Sequence, residues 1–274
     1  MSSKAMSFKA KINNYAKSKH IPAQVVLQNV MFERFLERLS LSAYRDKFVI
    51  KGGMLISALV GLDTRMTMDL DTTLRKLSLT EEQVKKAIQN ICEIELDDEV
   101  SFQIKSVAPI RKDDLYGGYR VRLDAIYETI TTPLSIDVST GDVITPAAVE
   151  FGGVLDDSVK ISLWGYSIET VLAEKVETIL NRDVTNTRPR DYYDVYILSH
   201  EKVYDPVVFH EALEETSNHR GSWERIQNYE PILEQIEKSK VLRDLWEKYR
   251  REFSYAREIT FEDTIAAVKG MLQC

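Results

Sequence analysis

Apolar residues recur at helical spacing from Pro22 to about Leu41. Val26, Val30, Phe35 and Leu39, with Met31 and Phe32 beside them, predict a packing helix whose first turn suits Pro22. Phe48-Val49-Ile50 reads as a short buried strand, and Gly52-Gly53 lets the chain turn tightly into a second helical stretch, Met54 to Val60. The run from Arg65 to Asp71 alternates. As a strand it places Arg65, Thr67, Asp69 and Asp71 on one face and Met66, Met68 and Leu70 on the other. Thr80 is a suitable N-cap for a helix carrying Val84, Ala87, Ile88, Ile91 and Cys92. Extended segments are expected at Val100 to Ile104, Tyr119 to Tyr127, Leu134 to Ser139 and Val159 to Trp164. In the second of these, Val121, Leu123 and Ala125 alternate with Arg120, Arg122 and Asp124.

Beyond Tyr166 the texture changes. Ser167 to Leu180, Asp191 to Ser199, Pro206 to Asn218, Pro231 to Phe253 and Phe261 to Leu272 all carry helical periodicity, and no convincing strand remains. The expected organisation is therefore α+β: a basic N-terminal segment over residues 1–21, a mixed core over 22–165 with its boundary near residue 165, and a helical domain over 166–274. Ser217 to Ser222 reads as an exposed connection.

Composition narrows the function only by exclusion. The 274 residues are 44% hydrophobic, ordinary for a globular chain, and no part of them requires a membrane span. Residues 1–20 are rich in lysine and serine, but no apolar run follows the charges, so they do not read as a secretory signal and a cytoplasmic location is expected. Two cysteines, Cys92 and Cys274, give neither a disulfide framework nor a zinc site. A net charge of −7 argues against a uniformly basic nucleic-acid surface while allowing a local patch. The four histidines show no metal-ligand spacing, no serine sits in a nucleophile elbow, and both the Walker loop and the Gly-x-Gly-x-x-Gly fingerprint are missing.

What remains are carboxylates and cations. Asp69 and Asp71 are hard oxygen ligands suited to Mg²⁺, an ion whose shell is completed by waters and substrate phosphates. Asp137, on the apolar run Leu134 to Ser139 before a Gly141-Asp142 turn, is a candidate third carboxylate; taken one motif at a time, solvated strand ends are the plainer explanation of these aspartates. Gly52 and Gly53 could bring backbone amides to a phosphate at the following helix N-terminus, or only turn the chain. Lys175 lies beside the apolar stripe Ile168, Val171, Leu172, Val176 and Ile179, either reaching a triphosphate or paired with a neighbouring glutamate. In Arg188-Pro189-Arg190-Asp191-Tyr192-Tyr193-Asp194 the proline introduces a helix with two acids on one face. Those acids either favour the helix dipole or form a site with Arg190.

Taken in order, Lys51-Gly52-Gly53, Arg65-x-Thr67-x-Asp69-x-Asp71, Asp137, Glu174-Lys175 and Arg190-Asp191-x-x-Asp194 resemble the motif series of the AbiEii/AbiGii-type nucleotidyltransferase toxins, over residues from about 22 to 200. The resemblance implies a DNA polymerase β-like nucleotidyltransferase core with a mixed sheet followed by helices, in a bacterial toxin–antitoxin or phage-defence system. It implies Asp69, Asp71 and Asp137 as metal ligands for Mg²⁺. Gly52, Gly53, Arg65, Lys175 and Arg190 would contact the nucleoside triphosphate, and Asp191 would take part in catalysis with Lys175. Gly53 stands where many relatives carry serine, and Arg190 where lysine is more usual. The implied partners are a cognate antitoxin and an RNA acceptor, the tRNA 3′ end foremost. A nucleotide-binding regulator without transfer activity and a kinase-like phosphotransferase are the alternatives.

Overall fold

The computed structural model describes residues 2–76, 80–110, 117–141 and 145–273; the sequence expectations for Cys274 and for the Gly141-Asp142 turn fall partly or wholly outside them. The chain divides into two compact units. The first comprises Met1–Gly141 and Pro146–Tyr166, and the second Asp142–Thr145 and Ser167–Cys274.

The first unit opens with α1 (Ser3–Lys19) and α2 (Ala23–Leu41), followed by β1 (Phe48–Lys51), α3 (Gly52–Val60), β2 (Leu70–Leu74), α4 (Glu81–Cys92), β3 (Val100–Pro109), β4 (Gly118–Tyr127), β5 (Ile130–Ser139), β6 (Pro146–Gly152) and β7 (Lys160–Tyr166). The strands form one mixed sheet in the order β3-β4-β5-β2-β1-β7-β6, with β2–β5 and β1–β7 parallel and the other pairs antiparallel. The alternation read at Val121, Leu123 and Ala125 is the buried side of β4; Ile136 and Val138 continue it on β5. Against the sheet packs the stripe of α2, with Val26, Met31, Phe32, Phe35 and Leu39 all buried. Each such side chain contributes roughly 1.5–3 kcal/mol relative to exposure. Thr80 caps α4 by accepting the Gln83 N–H at 3.2 Å.

In this first unit three sequence expectations change. α1 is a full helix capped by Ser2, and it docks through Ala5, Ile12 and Ala16 on one side, too few apolar positions to announce a helix. β6 was not foreseen, because only Val149 and Phe151 of its seven residues are buried. The strand read from Arg65 to Asp71 begins only at Leu70. Before it the Thr67 carbonyl is taken by Asn29 Nδ2 on α2, at 2.8 Å, instead of by a neighbouring strand. Strict alternation is lost with the ladder: Arg65 and Thr67 are buried, whereas Met68, expected on the apolar face, is 45% exposed.

The second unit is helical: α5 (Ile168–Arg182), α6 (Pro189–Glu201), α7 (Pro206–His219), α8 (Trp223–Ile226), α9 (Glu230–Lys238), α10 (Lys240–Glu252) and α11 (Phe261–Gln273). The single helix expected from Pro231 to Phe253 is two, because Ser239 leaves helical geometry and its hydroxyl accepts the Leu242 N–H, capping α10. Trp246 is fully buried and donates its indole N–H to the Ile259 carbonyl at 3.0 Å.

Candidate active site

Strand register builds the first part of the site. Asp71 on β2 lies directly opposite Lys51 on β1 and beside Asp137 on β5, and Asp137 lies opposite Arg120 on β4. Residues so paired share a face, with adjacent strands ~4.8 Å apart. The result is a row across four strands, Arg120, Asp137, Asp71, Lys51, in which two acids stand between two cations. Asp69 precedes Asp71 by two residues, just outside β2, and is exposed.

Arg120 grips Asp137 with a planar fork, Nε to Oδ1 and Nη2 to Oδ2, both at 2.7 Å. The guanidinium is held further toward its charged form by this hydrogen-bonded contact, by the Asp137 charge, and then by Asp69 and Asp71. Both oxygens of Asp137 are thus engaged by arginine, and among the described residues no three Asp, Glu, His or Cys side chains converge on a metal position. Asp69 and Asp71 lie beside this pair as the further carboxylates of the site.

The glycine turn is fitted to Asp71. Gly52 has φ +65°, and a Cβ there would lie 2.2 Å from Asp71 Oδ2; a Cβ on Gly53 would lie 2.6 Å from Thr67 Oγ1. Glycine at both positions lets the start of α3 close on the acid-bearing segment, which explains why Gly53 stands where a serine was the alternative. Two hard carboxylates beside a side-chain-free turn fit a divalent cation that keeps positions for water and phosphate. Arg65 is placed differently from its neighbours: its side chain is buried and donates to the Met66 carbonyl, so it braces the segment from within.

The second unit gathers its own charged cluster. Lys175 on α5 meets Asp191 and Asp194 on α6, its Nζ 2.7 Å from Asp191 Oδ1 and 3.0 Å from Asp194 Oδ2. Pro189 starts α6, so that Asp191 falls in its first turn and Asp194 one turn further along the same face. Both acids are buried, and Asp191 Oδ2 has no hydrogen-bond partner. The glutamate expected beside Lys175, Glu174, pairs instead with Arg220 at 2.8 Å. Arg190, expected to lock the acids, is exposed; Lys175 does the locking. Sequence reading named every acid in these two clusters but assigned no role to Arg120, whose only signal was its place on the polar row of an alternating strand.

A family model described as "Nucleotidyl transferase AbiEii toxin, Type IV TA system" matches residues 34–267. A comparison with curated proteins returned no match. Among solved structures, a candidate nucleotidyltransferase from H. pylori aligns over 92% of this chain and 95% of its own, with 16% identity and a TM-score of 0.50. JHP933 from Helicobacter pylori aligns over 86% and 99%, with 15% identity and a TM-score of 0.48. An antigenic nucleotidyltransferase-like protein from Paracoccidioides brasiliensis aligns over 74% and 92%, with 14% identity and a TM-score of 0.40. The first of these likenesses is one of fold.

Proposed function

Because the chain belongs to the AbiEii family of nucleotidyl transferase toxins, we propose that it transfers a nucleoside monophosphate from a nucleoside triphosphate to an acceptor hydroxyl, the tRNA 3′ end, with Mg²⁺ as cofactor. The observation that carries this reading is the row Arg120, Asp137, Asp71, Lys51, with Asp71 against the Gly52 turn. Asp69 adds a third acid to this end of the sheet, so Asp69, Asp71 and Asp137 outnumber the two cations of the row, a balance that favours binding of further positive charge. Asp69 and Asp71 would hold Mg²⁺, which when bound neutralises phosphate charge and polarises the phosphorus centre.

The chain's own residues account for the rest. In the reaction the acceptor oxygen bonds to the α-phosphorus, the bond from that phosphorus to the pyrophosphate oxygen breaks, and the hydroxyl proton passes to solvent. Arg120 holds Asp137 in place beside Asp71, so the acidic strands keep their register as substrate enters. Gly52 and Gly53 leave backbone amides accessible to phosphate. Arg190, exposed at the start of α6, would offset charge growing on the leaving pyrophosphate, while Lys175, held at a fixed point by Asp191 and Asp194, would orient phosphate by donating a hydrogen bond. The family's type IV toxin–antitoxin assignment supports an antitoxin as partner. Among the described residues no helix is long and apolar enough to cross a membrane.

The test is incubation with α-labelled or γ-labelled nucleoside triphosphates, Mg²⁺ and total bacterial RNA. Label from the α position is expected in RNA. Label arriving only from γ makes the protein a phosphotransferase, and nucleotide binding without transfer makes it a regulator; either outcome overturns the reading. In cells, Asp71→Ala is expected to relieve growth inhibition at equal protein level.

A further inference from the structure

Residues 1–32 contain five lysines and no aspartate or glutamate. With 43 acids in 274 residues, a stretch of that length would hold about five. The whole chain carries −7, so the other 242 residues carry −12. The segregated charge lies on α1, and the family match begins only at residue 34.

Docking of α1 leaves most of this charge outward. Ala5, Ile12 and Ala16 are buried, and Phe8 packs on Tyr127 with ring centroids 4.7 Å apart. Lys4 is paired with Glu99, and Lys19 Nζ with Asp63 Oδ2 at 3.0 Å. Lys9, Lys11 and Lys17 are exposed and, among the described residues, have no ion-pair partner. At helical spacing Lys9, Asn13 and Lys17 form one exposed row, and Ser7, Lys11, Asn14 and Ser18 a second beside it. The helix spans ~25 Å. It runs from the β4–β5 hairpin, where Phe8 meets Tyr127, to the loop where Lys19 meets Asp63, six residues before Asp69.

We propose that this face of α1 binds the phosphate backbone of the RNA acceptor; the assignment rests on the reading of the protein as an RNA-directed nucleotidyltransferase. Lysines interleaved with short amide and hydroxyl side chains are the groups that contact phosphates without reading bases. An anionic membrane suits the helix poorly, because its apolar side is already buried within the first unit, leaving Met6 as its exposed large hydrophobic residue. An acidic protein partner also suits it poorly, since protein interfaces favour arginine and aromatic residues over lysine.

The experiment is fluorescence anisotropy of a labelled tRNA transcript titrated with the full chain, without nucleotide, at several salt concentrations. The wild type is compared with the triple variant Lys9→Gln, Lys11→Gln, Lys17→Gln. The variant is expected to lose about tenfold or more in affinity at low salt, and its slope of log K against log salt to fall by about two, with melting temperature and nucleotide affinity unchanged. Equal slopes for the two proteins would overturn the proposal. So would wild-type binding to phosphatidylserine vesicles without binding to RNA. Lysine-dependent RNA binding with no α-label transferred to RNA would instead overturn the proposed reaction and leave this surface standing.

Discussion

Replacing Lys175 by methionine removes a cation that bridges two buried acids. Its Nζ lies 2.7 Å from Asp191 Oδ1 and 3.0 Å from Asp194 Oδ2, and the two acids are 4% and 0% exposed. Methionine preserves most of the stem packing, so the loss is electrostatic. Breaking a buried pair by deleting one partner costs about 3–5 kcal/mol, because the remaining charge is left in a poorly solvated place. The Lys175 side chain keeps 20% of its surface in water, which places the expectation at the lower end, about 3 kcal/mol. Asp191→Asn is the informative contrast. It leaves a one-to-one pair of Lys175 with Asp194 and removes charge from an oxygen that has no hydrogen-bond partner, so its cost should stay within about 1 kcal/mol. Urea unfolding at pH 7, followed by tryptophan fluorescence, measures both. With a slope of about 2 kcal/mol/M, Lys175→Met should lower the midpoint by about 1.5 M and Asp191→Asn by no more than about 0.5 M. A Lys175→Met midpoint within about 0.5 M of wild type, or equal losses in the two variants, would refute the account of one lysine balancing two acids.

Gly52→Ala forces a side chain into φ +65° and sets its Cβ 2.2 Å from Asp71 Oδ2; a loss of about 1–3 kcal/mol in thermal unfolding is expected, together with loss of nucleotidyl transfer. Asp98→Ala should cost about 3 kcal/mol, because Arg38 is 2% exposed and forks onto that carboxylate at 2.7 and 2.8 Å. Burial disfavours the ionised Asp98, yet the Arg38 fork and the Val100 N–H outweigh it and hold its pKa below the ordinary value. Its contribution is therefore full above about pH 4 and lost as pH falls through the folded pKa, and a urea series from pH 6 to pH 3 should show the wild type converging on the variant. Glu33 behaves oppositely: burial raises its pKa, so its contribution is present below about pH 4 and declines as pH rises through the folded value. Glu33→Gln, whose amide oxygen can still accept the Val154 N–H, should melt higher than wild type at pH 7 and equally at pH 4; a lower melting point at pH 7 would contradict this.

Local physics made much of the protein legible in its sequence. The stripe of α2, the alternation of β4 and β5 and the change to helices after Tyr166 follow from periodicities of 3.6 and 2, which any apolar face must obey. The same reading named Asp69, Asp71, Asp137, Lys175 and Asp191 as chemical candidates, because acids on apolar strands and at a proline-led helix start need a reason. Their pairing was not legible. Asp71 and Asp137 are neighbours because β2 runs parallel to β5, and Arg120 reaches Asp137 through the β4–β5 register; both are consequences of strand order, which residue spacing does not encode. Lys175 was assigned a glutamate nearby in sequence and found two aspartates 16 and 19 positions away, because packing of α5 on α6 sets distance in space. Arg65 and Thr67 turned inward once Asn29 took the Thr67 carbonyl, a hydrogen bond between segments 38 residues apart. Residue types and periods determined which groups could bear charge and which faces had to be buried. Only the tertiary structure decided which charges would meet, since strand register and helix packing bring together residues the chain keeps far apart.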